Sequence, residues 1–159
     1  MANNNTPVEV KGNEVQQSNA ELLKALESRP DILTPEVAEA LRSTQAQRYR
    51  AVLTYDGGDF LFDANVEIFA PGSDRPLARF TATCLPSFGR GKHTTHGYCD
   101  LNYPVHTIKG WRFTCFVDSN PNRIIIIYTG LHLEHIGVCV FRPIPAVSEV
   151  PAAGAGYIS

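Results

Sequence analysis

The chain carries little charge and no excess of one sign. Charged residues make up 19% of its 159, and 14 basic against 16 acidic side chains leave a net charge of −2. Such a balance argues against a dedicated nucleic-acid binder held by bulk charge. Long apolar runs are also missing. The densest is Ile124–Ile127, far short of the roughly 20 residues that cross a bilayer as a helix. The opening Met1-Ala2-Asn3-Asn4-Asn5 has neither a basic cap nor an apolar stretch, so no secretory signal is visible and a cytoplasmic location is expected, with export by a non-classical route as the alternative. The four cysteines, Cys84, Cys99, Cys115 and Cys139, form no C-x-x-C pair, which argues against a thioredoxin-like motif and a zinc ribbon. There is no G-x-S-x-G elbow, no G-x-x-x-x-G-K-[ST] loop and no repeat of fixed period.

What is present describes one globular domain. Hydrophobic residues amount to 43%, enough for a core and too rich for a disordered chain. Residues 1–17 have no apolar period and read as a mobile tail. Ser18-Asn19-Ala20-Glu21 has the form of a capping box, and Thr34-Pro35-Glu36 places a hydroxyl, a proline and an acid where a helix begins. Residues 18–47 therefore read as two short helices. Helices of this length are marginal alone, so their narrow apolar stripes must dock on the rest of the chain or on a partner.

From Arg48 the apolar period becomes two. Phe62, Ala64, Val66 and Ile68 alternate with Asp63, Asn65 and Glu67, and Ala78, Phe80, Ala82 and Cys84 alternate with Arg79, Thr81 and Thr83. Such alternation marks half-buried strands. Turn clusters at 56–59, 71–74 and 118–122 separate them. Further strands are expected at 98–101, 105–108, 111–117, 123–129 and 131–141, with 86–97 as the longest irregular stretch. The expected fold is mainly β: an antiparallel β-sandwich or barrel of about seven or eight strands over residues 48–145, preceded by the helices and followed by a flexible tail, 146–159. Ile124–Ile127 reads as a central strand buried on both faces, which requires a second layer above it.

Three groups of residues could carry function. The first is the loop Pro86–His93, with Phe88, Arg90, Lys92 and His93 between permissive glycines. Cations and glycine-freed backbone amides suit an anionic ligand: a phosphate, a lipid headgroup or a glycan. The second is a dispersed set of metal-ligand types: His93, His96 and Cys99 in one string, and His132 with Glu134. On a strand His132 and Glu134 would share a face, and zinc or iron would accept such ligands. The spacing matches no named metal motif, and no cofactor is expected. The third is the carboxylate pair Asp63 and Glu67, which equally describes a solvated strand face. The reading that fits best is a non-catalytic binding or assembly module. Its contacts come from the loops and the N-terminal arm, with a protein partner or self-association favoured. The alternatives are a metal-dependent enzyme on a β-barrel and a cytosolic regulatory interaction domain.

Overall fold

The structure is a computed structural model that describes residues 23–31, 35, 38, 46–147 and 151–159. Eight strands run β1 (Gln47–Gly57), β2 (Phe62–Phe69), β3 (Pro76–Leu85), β4 (Gly91–Leu101), β5 (Arg112–Ser119), β6 (Ile124–Gly130), β7 (His135–Phe141) and β8 (Pro151–Ile158), with one short helix, α1 (Val105–Ile108), between β4 and β5. All neighbours pair antiparallel. The order β1-β2-β3-β8-β5-β6-β7-β4 closes on itself. Of sandwich and barrel, the chain forms the barrel, which leaves no sheet edge open.

The period-two pattern decides which side chains enter the lumen. Tyr49, Ala51, Leu53 and Tyr55 of β1, Phe62 to Ile68 of β2 and Ala78 to Cys84 of β3 point inward at alternate positions and join one core. The lumen is filled by rings. Phe80, Phe113 and Tyr128 meet with centroids 4.6–6.0 Å apart, and Tyr55, Phe62 and Phe88 stack nearer one end. Edge and offset contacts at these separations are favourable for aromatic pairs.

Strand β8 corrects the expected flexible tail. Residues 151–158 pair with β3 on one side and β5 on the other. Alanine and glycine have weak strand propensity alone, so the composition signalled a tail. Here their smallness is the requirement. A Cβ on Gly156 would stand 1.7 Å from the Thr81 carbonyl oxygen, and one on Gly154 would stand 2.5 Å from the Cys84 sulfur.

Three further expectations change. Strand β4 begins at Gly91, so the irregular stretch is shorter than 86–97. Residues 105–108 form α1, not a strand. Residues 131–134 form the β6–β7 turn, so the last expected strand begins only at His135. The capping box at Ser18 and the helix-start hydroxyl of Thr34 lie outside the described residues.

The isoleucine run is covered on both faces, as its composition requires. Ile124 and Ile126 face the lumen core. Ile125 and Ile127 pack outside it with Val138 of β7 and Leu26, which is 1% exposed. Leu26 belongs to a helical segment, 23–26, whose following Arg29 bonds Asp118 of β5 at 3.1 Å and Asp31 at 3.0 Å. The N-terminal arm thus supplies the second layer.

Candidate binding surface

The strands divide the functional candidates between the two ends of the barrel. Gly57 of β1 pairs with Gly91 at the start of β4, so the β1–β2 turn and the loop before β4 share one end. Leu101 closes β4 at the other end opposite Gly137, beside the β6–β7 turn.

At the first end the loop Pro86–Arg90 is gripped by one side chain. The Tyr55 hydroxyl accepts from the amides of Phe88 and Gly89, both at 2.9 Å, and donates to the Gly89 carbonyl at 2.7 Å. The Phe88 and Gly89 amides are therefore spent on Tyr55. Phe88 is 4% exposed and stacks on Phe62 with centroids 5.0 Å apart, so it plugs the lumen and presents nothing outward. Arg90 is ion-paired with Asp59, Lys92 is exposed opposite Asp56, and His93 faces the Arg90 carbonyl through Nε2 at 3.2 Å.

The metal-ligand types are not brought together. On extended β4, His93 and Cys99 fall on the inward side while His96 is exposed. Cys99 is fully buried. His132 and Glu134 lie at the opposite end, in a turn and not on a strand. Among the described residues no three His, Cys, Asp or Glu side chains form a group able to hold a metal. Glu134 instead accepts from the His132 amide at 2.8 Å, and its own backbone amide together with that of His132 holds its carboxyl below the usual range. Asp63 accepts from the Thr83 hydroxyl at 3.0 Å, and Glu67 pairs with Arg79 at 2.6 Å, so both carboxylates serve cross-strand pairs.

The β6–β7 turn carries what the sequence reading missed. Leu131 is 62% exposed and Leu133 70%, and nearby Tyr157 of β8 is 52% exposed. The turn is fixed by Gly130 donating to the Glu134 carbonyl at 2.8 Å and Leu133 donating to the Gly130 carbonyl at 3.0 Å. Leu133 has φ 66°, alone among the described non-glycine residues in having a positive φ. A left-handed leucine costs roughly 1–2 kcal/mol against a glycine there, and its side chain recovers nothing by burial. Leu131 stands between two shallow grooves. One, of about 330 Å³, is lined by Trp111, Arg112, Leu131, His132 and Glu134. The other, of about 360 Å³, runs past Arg112 and Thr114 to Tyr157. Trp111 stacks at a tilt against Tyr103, centroids 5.3 Å apart, and is only partly buried, so it contributes to the surface as well as to the core. No residue pattern marks this patch in the sequence, because a left-handed leucine has no spacing signal. Among the described residues no helix is long and apolar enough to cross a membrane.

No protein-family model matches this chain, and no curated protein matches it. Solved structures do. The virulence-associated protein VapB of the intracellular pathogen Rhodococcus equi superposes with a TM-score of 0.61 at 12% identity, over 72% of this chain and 98% of that one. VapD of the same organism superposes with a TM-score of 0.61 at 10% identity, over 72% and 99%. Likeness at this identity establishes a shared barrel fold and no shared activity.

Proposed function

We propose that the protein is a non-catalytic binding and assembly module whose contact face is the β6–β7 turn with the adjoining end of β8, and whose occupant is a second copy of the chain. The observation that carries this is Leu133, an exposed leucine held at φ 66° two residues after exposed Leu131, which shares a groove with exposed Tyr157. Strain of this kind persists where the surrounding structure or a function maintains it, and an apolar ridge beside grooves is the usual form of a contact site. Arg112 and Glu134 both line the groove beside Leu131. A two-fold contact must be self-complementary, and a patch with both signs around an apolar centre meets that condition. The lumen is filled by core side chains, and among the described residues the candidate metal ligands do not form a group.

Sedimentation equilibrium of the full chain across a wide concentration range tests the reading. The wild type should show a monomer–dimer equilibrium. Leu131→Ser with Leu133→Asn should move it to monomer, and Phe60→Ser, which alters the exposed turn at the other end, should leave it unchanged. A wild type that stays monomeric at every concentration overturns the proposal, as does an association that Phe60→Ser abolishes.

A further inference from the structure

The four cysteines meet in the lumen as two pairs of different kind. The Cys99 and Cys139 sulfurs are 2.8 Å apart, and those of Cys84 and Cys115 are 3.8 Å apart. All four side chains are buried thiols. What separates the pairs is the backbone beneath them.

Cys99 of β4 lies directly opposite Cys139 of β7. In the same ladder, Asn102 donates to the Ile136 carbonyl and Arg142 donates to the His96 carbonyl. Hydrogen-bonded pairs alternate with non-hydrogen-bonded ones, so 96 with 142 and 102 with 136 are of the first kind and Cys99 with Cys139 is of the second. Non-hydrogen-bonded pairs hold their Cα atoms about 4.5 Å apart with side chains closer. A disulfide spans Cα separations of about 4.4–6.8 Å. Cys84 of β3 and Cys115 of β5 are not on neighbouring strands. Both register with Gly154 of β8, which lies between them. Two strand spacings put their Cα atoms roughly 9.5 Å apart, beyond the ~7 Å limit for bridging without backbone movement. Their sulfurs touch only because Gly154 has no side chain.

We infer that Cys99 and Cys139 form a disulfide-competent pair closed by a low-molecular-weight disulfide such as oxidised glutathione, and that Cys84 and Cys115 remain thiols under the same conditions. One cysteine thiolate attacks a sulfur of the oxidant and expels its first thiol. The second thiolate attacks the protein sulfur of the mixed disulfide and expels the other. The two protein thiols give up two electrons and two protons, and the oxidant leaves as two thiols. Neither sulfur has an exposed surface, and burial pushes the Cys139 thiol well above its usual range. The exchange therefore belongs to folding or to opening of the β4–β7 ladder. Once made, the bond is shut away from reductants.

The test is to refold the full chain from denaturant in a glutathione redox buffer and, separately, under full reduction. Free thiols are then alkylated under denaturing conditions and counted by mass spectrometry. Two of the four should resist alkylation after oxidising refolding, with peptide mapping linking the Cys99 peptide to that of Cys139. Cys84→Ala should keep the link, and Cys139→Ala should lose it and leave three alkylated thiols. Incubating the native protein with oxidised glutathione in sub-denaturing urea gives the same readout without refolding. Four reactive thiols in protein that has regained its fold in the oxidising buffer overturn the inference, and so does a Cys84–Cys115 link.

Discussion

Replacing Tyr55 by Phe removes one oxygen and keeps the ring, so the stack on Phe62 survives while the grip on the loop before β4 is lost. That oxygen accepts from two amides, donates to the Gly89 carbonyl and lies 3.1 Å from the Ser87 hydroxyl. The net worth of each ordinary hydrogen bond is about 0.5–1.5 kcal/mol, and a buried group left unpaired costs about 1–3 kcal/mol. The Phe88 amide is buried and has no route to water, whereas the Gly89 groups are part-buried and recover some hydration. The expected loss is therefore about 2–4 kcal/mol. With a urea m-value of about 1.5–2 kcal/mol/M for a domain of this size, the unfolding midpoint should fall by roughly 1–3 M. The loop should also open locally before the barrel unfolds, since lost loop contacts lower local stability first. Limited trypsin digestion reports this at Arg90 and Lys92, which become cleavable in Tyr55→Phe under native conditions. A midpoint within about 0.5 kcal/mol of wild type, the ordinary scatter of surface substitutions, together with an unchanged cleavage rate, would refute the clamp.

Leu26→Ala opens the layer over Ile125, Ile127 and Val138 and should cost about 2–4 kcal/mol by denaturant titration, in the range of buried leucine truncations. Gly156→Ala places a Cβ 1.7 Å from the Thr81 carbonyl oxygen and should abolish cooperative thermal unfolding, whereas outward-facing Ala155→Gly should keep it. Leu133→Gly should raise stability by about 1 kcal/mol, since it relieves the left-handed leucine, while weakening self-association. Burial pushes the His135 imidazole from 6.5 down to about 4, and its Nδ1 is buried without a partner. The unfolded chain then takes up the proton first, so stability is full above about pH 6.5 and declines as pH falls toward about 4, by roughly 3 kcal/mol. His135→Gln should flatten that decline in unfolding midpoints measured from pH 7.5 to 4.

The strands with strict alternation were legible in the sequence because one face is wet and one dry. The pattern in β2 and β3 named their inward residues correctly, and the isoleucine run announced a covering layer. Strand β8 was not legible. Its composition reflects the β3 backbone and the Cys84 sulfur beside it, and those neighbours are distant in sequence. The same limit applies to the loop before β4. Its glycines and cations suggest an open anion cradle, yet the group that occupies its amides is a tyrosine on β1. Cross-strand pairs such as Cys99 with Cys139 depend on register, which alternation within one strand does not fix.

Strand β8 also dictates the order in which the barrel can be completed. It lies between β3 and β5, which do not pair with each other, so until residues 151–158 arrive both present bare backbone donors and acceptors. These contacts join segments far apart in sequence, as when Phe80 pairs with Ile158, and such closures are slow. A chain lacking this stave would be an open sheet with a slot shaped for one small-residue strand, and a separate peptide of residues 151–159 could insert there by strand addition. The barrel is in that sense divisible into a receptive body and a closing piece, a split that would turn its assembly into a binding event set by peptide concentration.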